Sequence, residues 1–312
     1  MKFVENKLIF IGGSPRSGTT LLRRILNAHP EICAGPEFCL LPAIIRLRNE
    51  AKQRINNGQI SMFVNKEMND DIIRQLFFDY VNPFFEESGK LFLAEKTPAN
   101  ILIFPELHEL FPEAYLVHVI RDGRDVVSSM LEVAKSFKNS KEKIPSYIQG
   151  VEHCAGTWRD YVESPSRKGE IFFSEKFQKM YIEVRYEDMI YDPINTIQDL
   201  CGNLEIDFHK EIITSETLGH NFDQENFWIS KKNLSSSINT RSYNRYRRDL
   251  SLVQKIVVAK YCQQTLKKLG YVDDLKWVFE RQKGNPFVSI KNNVCESINL
   301  LGRYLNRHTP WN

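Results

Sequence analysis

A loop rich in glycine and hydroxyl side chains follows the first apolar run of the chain. The run is Leu8 to Ile11, and the loop reads GGSPRSGTT over residues 12–20. A helical pattern comes next, with leucines and isoleucines on one face and Arg23 and Arg24 on the other. A strand, a glycine loop and a helix N-terminus bind phosphate-like anions, because backbone N–H groups and the helix dipole converge there. We therefore predict an anion site at this loop.

The spacing of the loop matches the nucleotide phosphate loop G-x-x-x-x-G-K-[ST] except at one position. Gly13, Gly18 and Thr20 match, whereas Thr19 occupies the lysine position. Because that lysine binds the β- and γ-phosphates of a nucleoside triphosphate, its absence argues against ATP or GTP hydrolysis. Arg16 offers a planar guanidinium suited to an oxyanion. The pattern alone leaves open a kinase or NTPase with a degenerate loop, and an ordinary glycine-rich turn.

Two further apolar runs end in charged motifs. EKTP follows a candidate strand at 91–94, and RDGRD follows a stronger one at 114–120. Strands that alternate with helical patterns predict an α/β fold, a central parallel sheet flanked by helices on both faces. Because ligands of such sheets bind beyond the carboxyl ends of the strands, we expect the three motifs to converge on one anionic site.

The window 12–37, GGSPRSGTTLLRRILNAHPEICAGPE, resembles the 5′-phosphosulfate loop of sulfotransferases that use PAPS (3′-phosphoadenosine 5′-phosphosulfate). It is most similar to that of the tyrosylprotein sulfotransferases, which share P-R-S-G-T-T-L, the A-H-P turn and an acidic residue shortly after. Weaker landmarks extend the resemblance across roughly residues 7–270. It implies the P-loop-like sulfotransferase fold and in-line transfer of a sulfuryl group from PAPS to a hydroxyl acceptor, with no metal required.

The resemblance also implies which residues bind PAPS. Those of the glycine loop are assigned to the 5′-phosphosulfate: Ser14, Arg16, Ser17, Gly18, Thr19 and Thr20. Arg121 and Ser129 are assigned to the 3′-phosphate, because R-D-G-R with a serine eight residues after the first arginine is the family pattern. Tyr186, in VRYED, corresponds to a tyrosine near the adenine. The alternatives are a helix-start ion pair between Arg121 and Asp122, and a core tyrosine.

Three residues are candidates for catalysis on the same ground. Glu37 occupies the position of the family's general base, and a phenol with a pKa near 10 needs such help at neutral pH. Lys96 matches a lysine near the bridging oxygen that gains charge as the bond to sulfur breaks, a role that suits an ammonium. Arg16 corresponds to a residue that contacts the reacting sulfuryl oxygens. The alternatives are a solvated lysine and a surface arginine.

Histidines are rival bases, because cytosolic small-molecule sulfotransferases use one. His118 lies in an apolar strand and His29 in a turn, so we expect both to be structural. His153 and His220 are left as candidates.

The acceptor is less well defined than the donor. Pro36 and Cys39 replace an acidic residue and an arginine of the tyrosylprotein pattern, so peptide tyrosine, sugar hydroxyls and small-molecule phenols all stay open. A late segment, 235–248, aligns loosely with a family loop that closes over cofactor and substrate. Its arginines at positions 241, 245, 247 and 248 fit contacts to the 3′-phosphate, to an acidic acceptor, or to solvent alone.

Composition limits the class of protein. The 312 residues carry a net charge of +3, too small to argue for nucleic acid as a partner. The sequence has no run of 18 apolar residues and no room for a signal peptide before the first strand. We therefore expect a protein without a membrane segment, which is either cytoplasmic or a trimmed chain. Six scattered cysteines without a C-x-x-C pair predict free thiols in a reducing compartment and no metal site.

The coarse reading predicts a single domain over residues 1–272 with a helical extension at 273–312, and it permits a homodimer. Helices are expected at 40–48, 72–85, 105–111, 151–162, 193–204 and 250–269. The stretch 49–71 is expected to be a polar surface excursion, and 215–248 a long functional loop. A binding module that holds PAPS or its product PAP without turnover is the remaining alternative.

Overall fold

Five parallel strands form the central sheet of the computed structural model, which describes residues 7–168, 174–214 and 242–280. Their spatial order is β2-β3-β1-β4-β5. The strands are β1 (Leu8–Gly13), β2 (Ile32–Cys33), β3 (Phe92–Lys96), β4 (Tyr115–Ile120) and β5 (Tyr181–Arg185). Every residue of β1 and β4 is buried, which explains why both read as continuous apolar runs. The predicted parallel α/β fold is confirmed.

The described residues fall into two compact units, and the sheet belongs to the first, which spans residues 7–120 and 164–214. Seven α-helices accompany it: α1 (Thr19–Asn27), α2 (Leu41–Asn56), α3 (Lys66–Ser88), α4 (Phe104–Leu110), α7 (Glu175–Met180), α8 (Tyr186–Tyr191) and α9 (Pro193–Asn203). The register pairs Ile9 with Ala94 of β3 and with Tyr115 of β4. β1 therefore lies between β3 and β4, so the glycine loop leaves the middle of the sheet.

The second unit, residues 121–163 and 242–280, is helical where it is described. It holds α5 (Gly123–Asn139), α6 (Val151–Glu163), α10 (Tyr246–Asp249) and α11 (Leu252–Lys268). Trp158 is fully buried on α6. Ser251 and Gln254 form a capping box at the start of α11, and Gly270 follows its end with φ 75°.

Helix α2 corrects one prediction. The stretch 49–71 is mostly exposed, as expected, but much of it is helical, because α2 extends to Asn56 and α3 already begins at Lys66. The two helices are joined by an ion pair in which the Arg48 guanidinium, 1% exposed, lies 2.7 Å from Asp70. Residues 49–56 are mostly polar and exposed, so this part of α2 has no apolar periodicity that would predict a helix.

The structure of helix α1 contradicts a second prediction. Arg23 and Arg24 do not form an exposed polar face, because both side chains are buried. The Arg23 guanidinium donates to the carbonyl of Ala34 at 2.9 Å. A buried arginine is tolerated when backbone carbonyls replace its water.

Other expectations fall partly outside the described residues. Most of the segment 215–248 does, although its described end forms α10. Most of the extension at 273–312 does too, so the single-domain arrangement stays a prediction. No helix in the described ranges is long and apolar enough to span a membrane.

Candidate active site

The glycine loop turns tightly between β1 and α1. A side-chain carbon at Gly13 would lie 2.5 Å from the carbonyl oxygen of Val119, so only glycine fits there. Gly18 is the N-cap of α1 with a left-handed φ of 101° and has no side chain to cap the helix. The first amides of α1 have no intrahelical partner. They are the donors that an anion would need.

Most polar side chains of the glycine loop are buried. Ser14, Ser17 and Thr19 are buried, and the Ser17 hydroxyl meets no hydrogen-bond partner within the described residues. Arg16 is half-buried and adopts a positive φ of 73°, a strained conformation that occurs most often at functional sites. The loop therefore combines an unused buried donor with a strained arginine. This arrangement is suited to an anion.

Tyr186, the first residue of α8, packs against this loop. A side-chain carbon built at Gly18 would lie 2.4 Å from the Cδ2 atom of the Tyr186 ring. The ring is largely buried, with 9% exposure. Tyr186 therefore shapes the loop, which fits the core-tyrosine alternative and also brings the ring to the predicted nucleotide site.

Lys96 joins two predicted catalytic elements. At the end of β3 its side chain is 2% exposed, and its ammonium donates to the Thr20 hydroxyl at 3.2 Å. The same ammonium forms an ion pair with the Glu37 carboxylate, which is 39% exposed. Residues 20, 37 and 96 are far apart in the chain but adjacent in the first unit. The alternative of a solvated lysine is wrong.

The two residues that flank Lys96 were missed by the sequence interpretation. Glu95 and Thr97 are both buried polar residues, and their side chains hydrogen-bond each other at 2.7 Å. The available signal was the EKTP motif itself, since a glutamate is unexpected at a position of a buried strand.

The RDGRD motif opens the second unit. The Arg121 side chain is buried and donates to the carbonyl of Ser242 at 2.6 Å. Its own carbonyl accepts a hydrogen bond from the Trp158 indole at 3.0 Å. Ser129 is buried on α5. Arg121 thus lies between β4 and α5, and Ser129 lies on α5, as the pattern predicted. Their assignment to the 3′-phosphate stays a prediction.

The remaining charged residues of the motif are structural. Asp122 caps α5 through the amide of Arg124 at 2.9 Å, and the two side chains form an ion pair. The Arg124 guanidinium also lies 4.2 Å from the ring centre of Tyr246. Asp125 accepts a hydrogen bond from the Tyr246 amide at 3.0 Å. Its burial, together with the neighbouring Asp122 carboxylate, raises the pKa of Asp125 to about 7.

Two histidines have structural roles, as expected. Burial lowers the pKa of His118 to about 3, and its Nδ1 lies 2.6 Å from the Tyr181 hydroxyl. His29 is buried, with Nε2 at 2.8 Å from the carbonyl oxygen of Asp207. His153 is exposed on α6, and His220 lies outside the described residues.

The described residues contain no cluster of three or more His, Cys, Asp or Glu side chains that could hold a metal ion. Five cysteines in these ranges are free thiols, at positions 33, 39, 154, 201 and 262. Cys39 is the exposed one among them.

Known proteins resemble this chain over most of its length. A family model described as Sulfotransferase family matches residues 9–210. A putative protein-tyrosine sulfotransferase of Caenorhabditis briggsae is 29% identical over 245 residues, which cover 76% of this chain and 79% of that protein. The protein-tyrosine sulfotransferase of Drosophila melanogaster is 26% identical over 216 residues, 68% of this chain but 40% of the fly protein. The chain thus matches less than half of that longer relative.

Solved structures share the fold at lower identity. The sulfotransferase domain of the Synechococcus PCC 7002 olefin synthase superposes with a TM-score of 0.51 at 19% identity, covering 82% of this chain and 94% of that domain. Mouse sulfotransferase SULT7A1, solved in complex with PAP, gives 0.50 at 15% identity, with 86% and 90% covered. The matched family region includes the glycine loop, Glu37 and Lys96, and it spans well over half of the sequence. The chain therefore belongs to the sulfotransferase family and is similar to its protein-tyrosine members.

Proposed function

We propose that the protein transfers the sulfuryl group of PAPS to a hydroxyl acceptor by in-line displacement. The observation that carries this proposal is the double contact of Lys96, whose ammonium meets both the Thr20 hydroxyl of the glycine loop and the Glu37 carboxylate. Anion-binding loop, cation and base are thereby contiguous. PAPS supplies the activated sulfuryl group, and the protein supplies position and fixed charge.

The glycine loop binds the phosphosulfate in this proposal. The amides of the first turn of α1, the Ser17 hydroxyl and the Arg16 guanidinium are the donors. Each charge-assisted hydrogen bond contributes roughly 1.5–3 kcal/mol, so a few of them give micromolar affinity. The buried, unpartnered Ser17 hydroxyl supports this assignment, because an anion would satisfy it.

Lys96 and Glu37 have different roles in the transfer reaction. The Lys96 ammonium is almost fully removed from solvent, which strengthens its interaction with negative charge that develops on the bridging oxygen. The more exposed Glu37 carboxylate is accessible to an acceptor and takes the proton of its hydroxyl.

The other nucleotide contacts follow from the motifs. Arg121 and Ser129 bind the 3′-phosphate, and Tyr186 lies near the adenine. Both side chains are buried, which supports a fixed, pre-organised binding group.

A phenol is the acceptor that the surroundings of Glu37 favour. The ring of Phe38, next in the chain, lies 5.6 Å from the ring of Tyr80, which is 56% exposed. Exposed aromatic surface beside a base suits an aromatic acceptor. The protein-tyrosine relatives point in the same direction, so a tyrosine-containing peptide is the first acceptor to test.

Calorimetry with PAP and with AMP tests the donor. We expect PAP to bind at least about tenfold more tightly, because one additional charged contact contributes roughly that factor. Equal affinity for the two nucleotides, or no binding, would contradict the proposal.

Transfer of label from [³⁵S]PAPS to tyrosine peptides, glycans and phenols tests the reaction. We expect Glu37→Gln to reduce turnover by about 10²- to 10⁴-fold while PAP affinity is retained, because only proton removal is lost. A fully active variant would place the base elsewhere. Tight PAP binding without transfer to any acceptor would identify a binding module instead.

A further inference from the structure

The loop that carries Glu37 is fastened on its N-terminal side by α1. The Arg23 guanidinium donates to the carbonyl of Ala34 at 2.9 Å and to that of Gly35 at 3.4 Å. Because Arg23 is fully buried and α1 begins in the glycine loop, this contact ties the loop before Glu37 to the anion-binding helix.

Two residues of the EKTP motif fasten its C-terminal side. The Glu95 carboxylate accepts the amide N–H of Phe38 at 3.3 Å. The Thr97 hydroxyl accepts the next amide, that of Cys39, at 3.2 Å and donates its own proton to Glu95 at 2.7 Å. The first two amides after Glu37 are therefore both held by side chains that flank Lys96.

The Glu95 carboxylate is itself rigidly supported. It is 4% exposed, and its second oxygen accepts a hydrogen bond from the Asn100 amide, which also donates to the carbonyl of Ile11 at 3.3 Å. Burial raises the pKa of Glu95, whereas its hydrogen bonds from Asn100, Thr97 and the Phe38 amide oppose that shift. Burying a carboxylate costs folding free energy, and the hydrogen bonds of Glu95 offset that cost while they hold the neighbouring backbone in place.

The backbone at the fastening point is strained. Cys39 is not glycine, yet its φ is 58°, in the left-handed region. Such a conformation persists only when its surroundings impose it, and the Thr97 hydroxyl binds the amide of this same residue. Without that bond we expect the segment around Glu37 to relax.

We propose that Glu95 and Thr97 are positioning residues that hold Glu37 against Lys96. Lys96 thus contacts Glu37 directly, while the side chains on either side of Lys96 hold the loop that carries Glu37. The catalytic meaning of this arrangement rests on the proposed function. The hydrogen bonds that hold the loop do not depend on the proposed function, and their effect on the loop can be measured without nucleotide.

Cys39 is a built-in reporter of the loop. Its thiol is exposed and lies 3.7 Å from Glu37, and burial followed by the Glu37 charge raises its pKa. Release of the loop should therefore speed its alkylation by iodoacetamide. Cleavage after Glu37 with a glutamate-specific protease, followed by peptide mass spectrometry, separates Cys39 from Cys33 and from the other cysteines.

The test compares Thr97→Val, which keeps the shape but removes the hydroxyl, with Thr97→Ser, which retains it. We expect Cys39 alkylation at pH 8 to be about fivefold faster in Thr97→Val, the factor that corresponds to one lost hydrogen bond, and to be unchanged in Thr97→Ser. Glu95→Gln should act in the same direction and provides a second route if Thr97→Val fails to fold. Because the Glu95 charge also raises the pKa of Cys39, the rate in this variant is compared per thiolate, after titration of Cys39. Thr265→Val, which removes another buried threonine–glutamate hydrogen bond, is the matched control and should react like wild type.

Turnover of [³⁵S]PAPS supplies the catalytic readout. In Thr97→Val and Glu95→Gln we expect kcat to fall by about tenfold or more, because the base is displaced, while PAP affinity stays within twofold of wild type. Thr97→Ser and Thr265→Val should retain the wild-type kcat. Wild-type alkylation rates in both folded variants would overturn the inference even if PAPS is the donor. Conversely, faster alkylation in a chain that does not bind PAP would support the fastening and reject the proposed function.

Discussion

The Lys96 ammonium makes the contacts on which the proposed chemistry depends. Buried charges are stable only when paired, and this one is paired with Glu37 and with the Thr20 hydroxyl. Both partners carry sequence-derived assignments, base and phosphate loop. In the proposed function, the side chain therefore links binding to catalysis.

Replacing Lys96 with methionine tests that link. The change keeps an unbranched side chain but removes the charge, so we expect turnover to fall by about 10²-fold or more. Single-turnover transfer of label from [³⁵S]PAPS measures this. Lys176→Met, at an exposed lysine of α7, is the control and should retain activity. Wild-type turnover in Lys96→Met would remove the residue from the mechanism.

Arg16 tests the binding function of the glycine loop. We expect Arg16→Ala to weaken PAP binding by about 10- to 100-fold, because one charge-assisted contact of roughly 1.5–3 kcal/mol is lost. Calorimetry gives this value directly. Arg46→Ala, at an exposed position of α2, should bind PAP like wild type. An unchanged affinity in Arg16→Ala would mean that its strained backbone serves another purpose.

At the scale of elements, the junction of β1 and α1 sets the shape of the anion site. Gly18 combines a φ of 101° with the close approach of the Tyr186 ring, so an added methyl group faces both strain and a clash. The second element that matters is the end of β3, where three consecutive side chains serve Glu37. In the strand, a shift of one residue would turn the Lys96 side chain to the other face of the sheet, because neighbouring side chains of a strand face opposite sides.

Gly18→Ala should therefore lower both stability and PAP affinity. We expect a loss of at least about 1 kcal/mol in unfolding free energy from the backbone conformation, and additional loss of binding from displacement of the loop. Gly58→Ala is a matched control, since Gly58 has a φ of 76° but no atom near its missing side chain. It should show strain without loss of PAP binding. Equal PAP affinity in both variants would contradict the role of the loop.

At the scale of the whole molecule, Asp125 makes stability depend on pH. Its folded-state pKa is raised to about 7, whereas an unfolded aspartate titrates near 3.9. Between these values the folded protein binds the extra proton, so this group lowers stability as pH rises through the window. Three pKa units correspond to about 4 kcal/mol at most.

Asp125→Asn should remove this contribution while its side-chain oxygen still accepts the Tyr246 amide. We expect the variant to be more stable than wild type at pH 8 and nearly equal to it at pH 4. Urea unfolding at both values measures the difference, and the comparison cancels the titrating groups that do not interact with Asp125. A difference that is independent of pH would show that Asp125 does not bind the proton.

The sequence by itself determined the strands β1, β3 and β4 and the glycine loop, and it predicted an anion site at that loop. Buried strands and glycine turns are local features, since each apolar run and each glycine carries its own signal. The helices at Phe104–Leu110, Val151–Glu163, Pro193–Asn203 and Leu252–Lys268 were predictable for the same reason. The family resemblance added the roles of individual residues, which no periodicity contains.

Only the tertiary structure decided which polar residues are buried and what they hold. Arg23, Arg48 and Glu95 read as surface residues in a linear pattern, yet each is buried because a partner distant in the chain replaces its water. The contact of Lys96 with Thr20 and Glu37 has the same origin. Hydrogen bonds and ion pairs between distant residues leave no periodic trace, because they depend on where the sheet brings its strand ends and not on what lies next in the chain.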